Sequence, residues 1–175
     1  MPKNRKSGTD HDFPPYPVRM AMRDYAGLAA FLVLVAAVSA AGGWATSQGV
    51  GTWYATLQKP SFNPPAWVFG PVWTVLYVMI AVAGWRLWRR GWPASRLALT
   101  AWGVQLALNL VWSFLFFGGR MIGAALVEIV VLLAAIAATI ALAWRVDRMA
   151  AWLLAPYLAW VSFATLLNAA LWRLN

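Results

Sequence analysis

The chain contains no cysteine and a single histidine, His11, in a sequence of 175 residues. Disulfides and thiolate ligands are therefore excluded, and a haem iron has no usual axial ligand near the apolar segments. Only five residues are acidic. No paired carboxylates with an acid–base spacing, no Ser-His-Asp set and no phosphate-cradling glycine loop can be read. Strictly alternating ten-residue segments, the mark of a membrane β-barrel, are missing too. What remains is 62% hydrophobic, 11% charged, with mean hydropathy +0.64 and thirteen tryptophans. Apolar runs of about 20 residues recur, the length a helix needs to cross a bilayer core. The composition thus predicts an all-α membrane protein, a five-transmembrane-helix bundle, with helices at about 25–45, 66–88, 95–117, 121–144 and 150–172. Residues 1–22 read as a disordered basic tail ahead of one membrane domain over 23–175.

The formal charge is +9. Eleven of the fourteen Lys and Arg fall in the tail, the 2–3 loop and the 4–5 loop. Lys59, Arg120 and Arg173 fall on the other side. The positive-inside rule then puts the N-terminus in the cytoplasm and the C-terminus outside, if the membrane is an inner one. Charges confined to short inter-helix loops suit membrane lipid and argue against nucleic acid as a partner.

The stretch 53–73 holds four of the ten prolines and three of the tryptophans. Pro64-Pro65 suit a helix start, with Asn63 as the expected N-cap. The residues from 46 to 65 therefore read as a rigid loop closing one end of the bundle. Gln105, Asn109 and Trp112 share a face of the third helix, and Trp160, Ala164 and Asn168 a face of the fifth. Trp73 and Tyr77 lie one turn apart on the second. Counted from the helix ends, Trp73, Asn109 and Ala164 all sit about 12 Å below the surface that the loop covers. Amides at that depth are costly unless they face the bundle interior or a cavity. One aromatic and amide-lined chamber under the loop follows, with Gly42-Gly43 leaving it space. Such a chamber suits a large, planar, mostly apolar ligand and no metal. Plain packing and interhelical hydrogen bonding explain the same residues. Trp44, Trp85, Trp88, Trp92, Trp144, Trp152 and Trp172, near helix ends, read as interfacial anchors. Glu128, a third of the way into the fourth helix, reads equally as a functional or a structural carboxylate.

Trp53-Tyr54, then Leu57-Gln58-Lys59-Pro60-Ser61-Phe62-Asn63-Pro64-Pro65, then Trp67-Val68-Phe69-Gly70-Pro71-Val72-Trp73 together resemble the signature of the tryptophan-rich sensory protein/translocator protein (TspO/MBR) family. Similar blocks follow: Gln105 to Asn109 with Trp112-Ser113 and Phe116-Phe117-Gly118, Ala124 to Glu128, and Pro156-Tyr157 through Trp160, Phe163-Ala164-Thr165 and Asn168 to Trp172. The resemblance covers about 25–175. It implies a five-helix bundle, usually a homodimer, that needs no cofactor and binds porphyrins such as protoporphyrin IX as ligand, with sterols and other planar hydrophobic molecules in many members. It implies roles in tetrapyrrole sensing, regulation or transport. The ligand set carried over is Trp53, Trp73, Asn109, Trp112, Trp160 and Ala164, to which the faces add Tyr77, Gln105 and Asn168, and Phe163 beside Ala164. Some bacterial members promote light- and oxygen-dependent porphyrin breakdown, an alternative activity that would make Trp73 and Trp160 catalytic. Residues 168–173 lack the tyrosine of the sterol-recognition pattern, and Phe62 stands where many relatives carry tryptophan.

Overall fold

The computed structural model describes residues 21–175; the expected basic tail lies outside the described residues except at its last two positions. Six helices follow in order: α1 Met22–Ser47, α2 Trp53–Thr56, α3 Ala66–Arg89, α4 Trp92–Ser113, α5 Ile122–Trp144 and α6 Arg148–Leu174. A π-helical turn, Phe114–Gly118, continues α4. Five of these segments, from 23 to 27 residues, are long and apolar enough to cross a membrane. At 1.5 Å per residue even the shortest exceeds the roughly 30 Å hydrocarbon core. The protein is an all-α bundle of five membrane-spanning helices, as the composition predicts.

α3, α4, α5 and α6 supply most of the buried core, through Leu76, Ile80, Trp102, Leu106, Ile129, Leu132, Ile136, Leu154 and Tyr157. Small residues (Ala143, Ala150, Ala151) let α5 and α6 approach closely at one end. α1 is peripheral, with only Val35, Gly42 and Ala45 buried. Its first half is held to α3 by aromatic side chains seated on glycines. Trp88 lies over Gly27, and Phe31 and Trp102 lie over Gly84. Indole N–H groups also tie helices to carbonyls. Trp102 donates to Ile80 O at 2.9 Å and Trp85 donates to Asp24 O at 2.9 Å. Trp85 is thus buried rather than an interfacial anchor, and Trp88 is half-buried. Trp44, Trp92, Trp144, Trp152 and Trp172 are exposed near helix ends.

The same end of the bundle carries its ion pairs. Asp147 caps α6, accepting from Ala150 N at 3.0 Å. Its carboxylate also receives Arg86 at 3.1 Å and Arg90 at 2.8 Å. Burial alone would raise this carboxyl, but the backbone N–H and the two guanidinium groups outweigh it and hold it below the ordinary aspartate range. Asp24 pairs with Arg89 at 3.3 Å.

Candidate functional site

The opposite end of the bundle is hollow. A cavity of about 530 Å³ lies between α1, α3, α4 and α6 and reaches α5 at its floor through Ile129 and Leu132. Its flat surfaces are Trp73 and Tyr77 from α3, Trp112 and Phe116 from α4 and its π turn, and Trp160 from α6. Trp73 and Tyr77 lie with ring centroids 5.2 Å apart, and Trp112 stacks on Phe116 at 5.0 Å. The π turn matters here, because one extra residue per turn brings Phe116 and Phe117 together beside Trp112.

Few polar groups face the space, and each amide among them accepts from an aromatic side chain. Tyr77 donates to Asn109 Oδ1 at 2.8 Å. Trp112 donates from Nε1 to Asn168 Oδ1 at 3.2 Å, and Asn168 donates to Ile122 O at 3.0 Å. These bonds stitch α3 to α4 and α4 to α6 and α5, so the amides are cavity wall and interhelical glue at once.

Seven of the ten sequence-derived candidates line the cavity: Trp73, Tyr77, Asn109, Trp112, Trp160, Ala164 and Asn168. Three do not. Trp53 turns away and packs edge-on against Phe116 at 5.6 Å, while its neighbour Tyr54 takes the cavity position. Gln105 is wholly buried one turn below Asn109; its Nε2 donates to Trp102 O at 2.9 Å, and its Oε1 is buried without a partner, in the core rather than on the cavity. Phe163 lies behind Trp160, at 5.7 Å, and meets Phe62 of the loop at 6.3 Å. Glu128 is not a lining residue either; both its carboxyl oxygens are buried in the bundle without a hydrogen-bond partner.

The loop after α1 covers the cavity through Val50, Tyr54, Ala55, Lys59, Asn63 and Pro64. Asn63 does not cap α3. Pro65 holds the N-cap position, and Asn63 instead accepts from Tyr54 Oη at 2.8 Å. The proline pair delays the helix by two residues and frees the amide to brace the loop. Burial holds the Tyr54 phenol above its ordinary range, so it stays a neutral donor. At the far side, Asn175 accepts from Gln58 N at 2.9 Å and donates to Gln58 O at 3.0 Å, which pins the loop to the end of α6.

The cavity also has an exposed edge on two membrane-spanning helices. Gly43, four residues before the end of α1, and Gly70, four after the start of α3, both line it and are exposed. Nothing lies within 4 Å of where a Cβ would stand on either. The α1–α3 pair is packed through glycines at the ion-paired end and leaves open space at Gly43 and Gly70 here. Among the described residues no cluster of His, Cys, Asp or Glu could hold a metal. The lining offers π surface, three amides, a few hydroxyls and one cation, Lys59.

Comparison with known proteins agrees with this architecture. The TspO/MBR family model matches residues 30–173. A tryptophan-rich protein TspO from Archaeoglobus fulgidus is 44% identical over 149 residues, 85% of this chain and 96% of that protein. The human translocator protein is 44% identical over 126 residues, 70% of this chain and 75% of its own. A tryptophan-rich sensory protein from Cereibacter sphaeroides is 39% identical over 123 residues, 70% of this chain and 77% of its own.

Proposed function

The chain belongs to the TspO/MBR family of integral, multi-pass membrane proteins, and on that footing we propose that it binds porphyrins of the protoporphyrin IX type in the cavity beneath the loop, acting in tetrapyrrole sensing, regulation or transport. The observation that carries this reading is the match between cavity and ligand class. The volume of about 530 Å³ falls within the roughly 300–1,000 Å³ of small-molecule sites. Its walls are indole, phenol and phenyl faces, which hold a flat conjugated ring by stacking. Its polar groups are few, as a mostly apolar macrocycle requires. Sterols fit the apolar lining less specifically and remain a second ligand class. A homodimer follows from the resemblance, with the outer face of α4 and the small residues of α1 as the surfaces to test by cross-linking.

The test is a titration of purified protein, kept dark, with protoporphyrin IX, following porphyrin absorbance and tryptophan fluorescence. Trp160→Phe runs beside the wild type, because thirteen tryptophans make quenching alone ambiguous. Saturable binding that weakens about three- to tenfold in Trp160→Phe is expected, the loss of one stacked indole being worth about 1 kcal/mol. Linear uptake unaffected by the substitution would remove the reading.

One observation favours a second activity. Trp73 stands within 5.2 Å of Tyr77 and 6.2 Å of Tyr157, ring centre to ring centre, a cluster of oxidisable side chains at the cavity wall. Light would excite a bound porphyrin, dioxygen would be the terminal oxidant, and Trp73 or Trp160 would donate an electron. Equal bleaching rates for wild type and Trp160→Phe at equal occupancy would exclude this activity.

A further inference from the structure

Lys59 is the one charged residue among the described residues that line the cavity. It sits on the loop, at the rim, and is exposed. Its ammonium donates to Ala55 O at 3.2 Å and to Leu57 O at 3.1 Å, and lies 5.0 Å from the centre of the Tyr54 ring. An ammonium carries three donors, so one N–H remains. Among the described residues no side-chain carboxylate pairs with it. Among the described residues the acids are Asp24, Glu128 and Asp147; the first and last are paired with arginines at the other end of the bundle, and Glu128 is buried off the cavity. The two carbonyls and the ring hold the long side chain in place. An exposed lysine usually spreads over many rotamers, and that entropy is what weakens surface ion pairs. Here part of it is already lost before a ligand arrives.

The rest of the lining contains no formal charge of either sign, so the cavity is electrically one-sided: apolar and aromatic inside, one fixed cation at its mouth. We infer that Lys59 reads a carboxylate on the bound ligand, so that the cavity selects planar apolar molecules bearing an acidic group at one edge over neutral ones of the same shape. The ring lies among the indoles and the acid stays at the rim beside the ammonium, where water still reaches it and no full desolvation cost arises. Where the ligand is a porphyrin this inference rests on the function proposed above, but the selectivity itself is a property of Lys59 and applies to any ligand of that form.

Two matched ligand pairs test it: protoporphyrin IX against its dimethyl ester, and 1-pyrenebutyric acid against 1-pyrenebutanol. Each is titrated into wild type, Lys59→Met, Lys59→Arg and Arg173→Met in the same detergent. Arg173 lies at the same membrane face, off the cavity, and controls for loss of one positive charge. The readout is the ratio of wild-type to variant affinity for each ligand, which cancels unequal partitioning into detergent. Lys59→Met is expected to weaken the acids about two- to fivefold, the upper range of an exposed charge pair, and to leave the ester and the alcohol unchanged. Lys59→Arg should keep most of the preference, Arg173→Met all of it, and added salt should erode it. Acids and neutral partners weakened alike by Lys59→Met would make the residue a loop brace and overturn the inference. So would variant ratios of one for every ligand. Pyrenebutyrate discrimination without saturable porphyrin binding would leave the inference standing and remove the tetrapyrrole reading. No saturable binding of either pair would overturn both.

Discussion

Asp147 shows how much one carboxylate does in a chain with five acids. It caps α6 and joins α3 to the α5–α6 turn through Arg86 and Arg90. Removing it leaves two guanidinium groups and a helix N-terminus without their acceptor. Asp147→Ala is expected to lower stability by about 2 kcal/mol, a lost helix cap plus ion pairs to two partly exposed arginines, and Asp147→Asn by less, since the amide oxygen still accepts from Ala150 N. Thermal melts in detergent measure both. The pH dependence has a fixed sign. Because the folded carboxyl is held below its unfolded value, its contribution is complete above about pH 4 and is lost as the pH falls through the lower folded value. Asp147→Asn should therefore lose this part of the acid sensitivity and keep the rest. Single residues at the site were legible where helix periodicity placed them. Trp73, Asn109 and Trp160 follow from counting turns, whereas Trp53 does not. In the four-residue helix α2, one position is about 100° of rotation, and that rotation puts Tyr54 on the cavity and Trp53 behind it. Adjacent aromatics in a loop give no phase from sequence. Gln105 fails for another reason: it shares Asn109's face but lies a turn deeper, where the core closes over it.

At the scale of elements, α1 and α3 form an unequal pair, tightly packed over glycines at one end and with open space beside glycines at the other. The packed end depends on glycine. A Cβ on Gly84 would stand 2.5 Å from the Trp102 indole and 2.8 Å from Phe31. Gly84→Ala is expected to destabilise by about 1–3 kcal/mol through overpacking, read as a lower melting temperature. The open end predicts the reverse. Gly43 and Gly70 have free space, so Gly43→Leu and Gly70→Leu together should fold normally and place bulk in the gap between the helices. If ligand enters from the bilayer through that gap, stopped-flow mixing with ligand-loaded vesicles will show association slowed about tenfold or more with the melting temperature unchanged. Unchanged association would assign entry to the loop instead. The five spans themselves were readable as apolar length. Which face of each helix is buried was less so, because lipid-facing and core-facing residues are equally apolar and the periodic contrast of a soluble helix is weak. The same weakness misassigns Trp85, whose indole closes a hydrogen bond to Asp24 O that only tertiary structure reveals.

For the whole molecule, the two ends differ in kind: one carries the ion pairs and most of the arginines, the other carries the loop and the cavity. Orientation therefore decides which compartment the cavity mouth faces. Among the described residues, seven of the ten basic ones (Arg23, Arg86, Arg89, Arg90, Arg96, Arg145 and Arg148) lie at the ion-paired end, at the start of α1 and around the α3–α4 and α5–α6 turns. If that end is cytoplasmic, as the positive-inside rule requires of short loops, the loop, Lys59 and the cavity face outward. The absence of cysteine makes this measurable without removing native residues. Ser61→Cys lies on the exposed loop and Ala94→Cys on the exposed start of α4, at opposite ends of the bundle. A membrane-impermeant maleimide applied to intact cells or spheroplasts should label Ser61→Cys and spare Ala94→Cys, and permeabilisation should equalise the two. The reverse pattern would put the cavity mouth in the cytoplasm. Equal labelling before permeabilisation would mean that the chain inserts both ways, as an antiparallel pair would, and the charge asymmetry would then have no topological role.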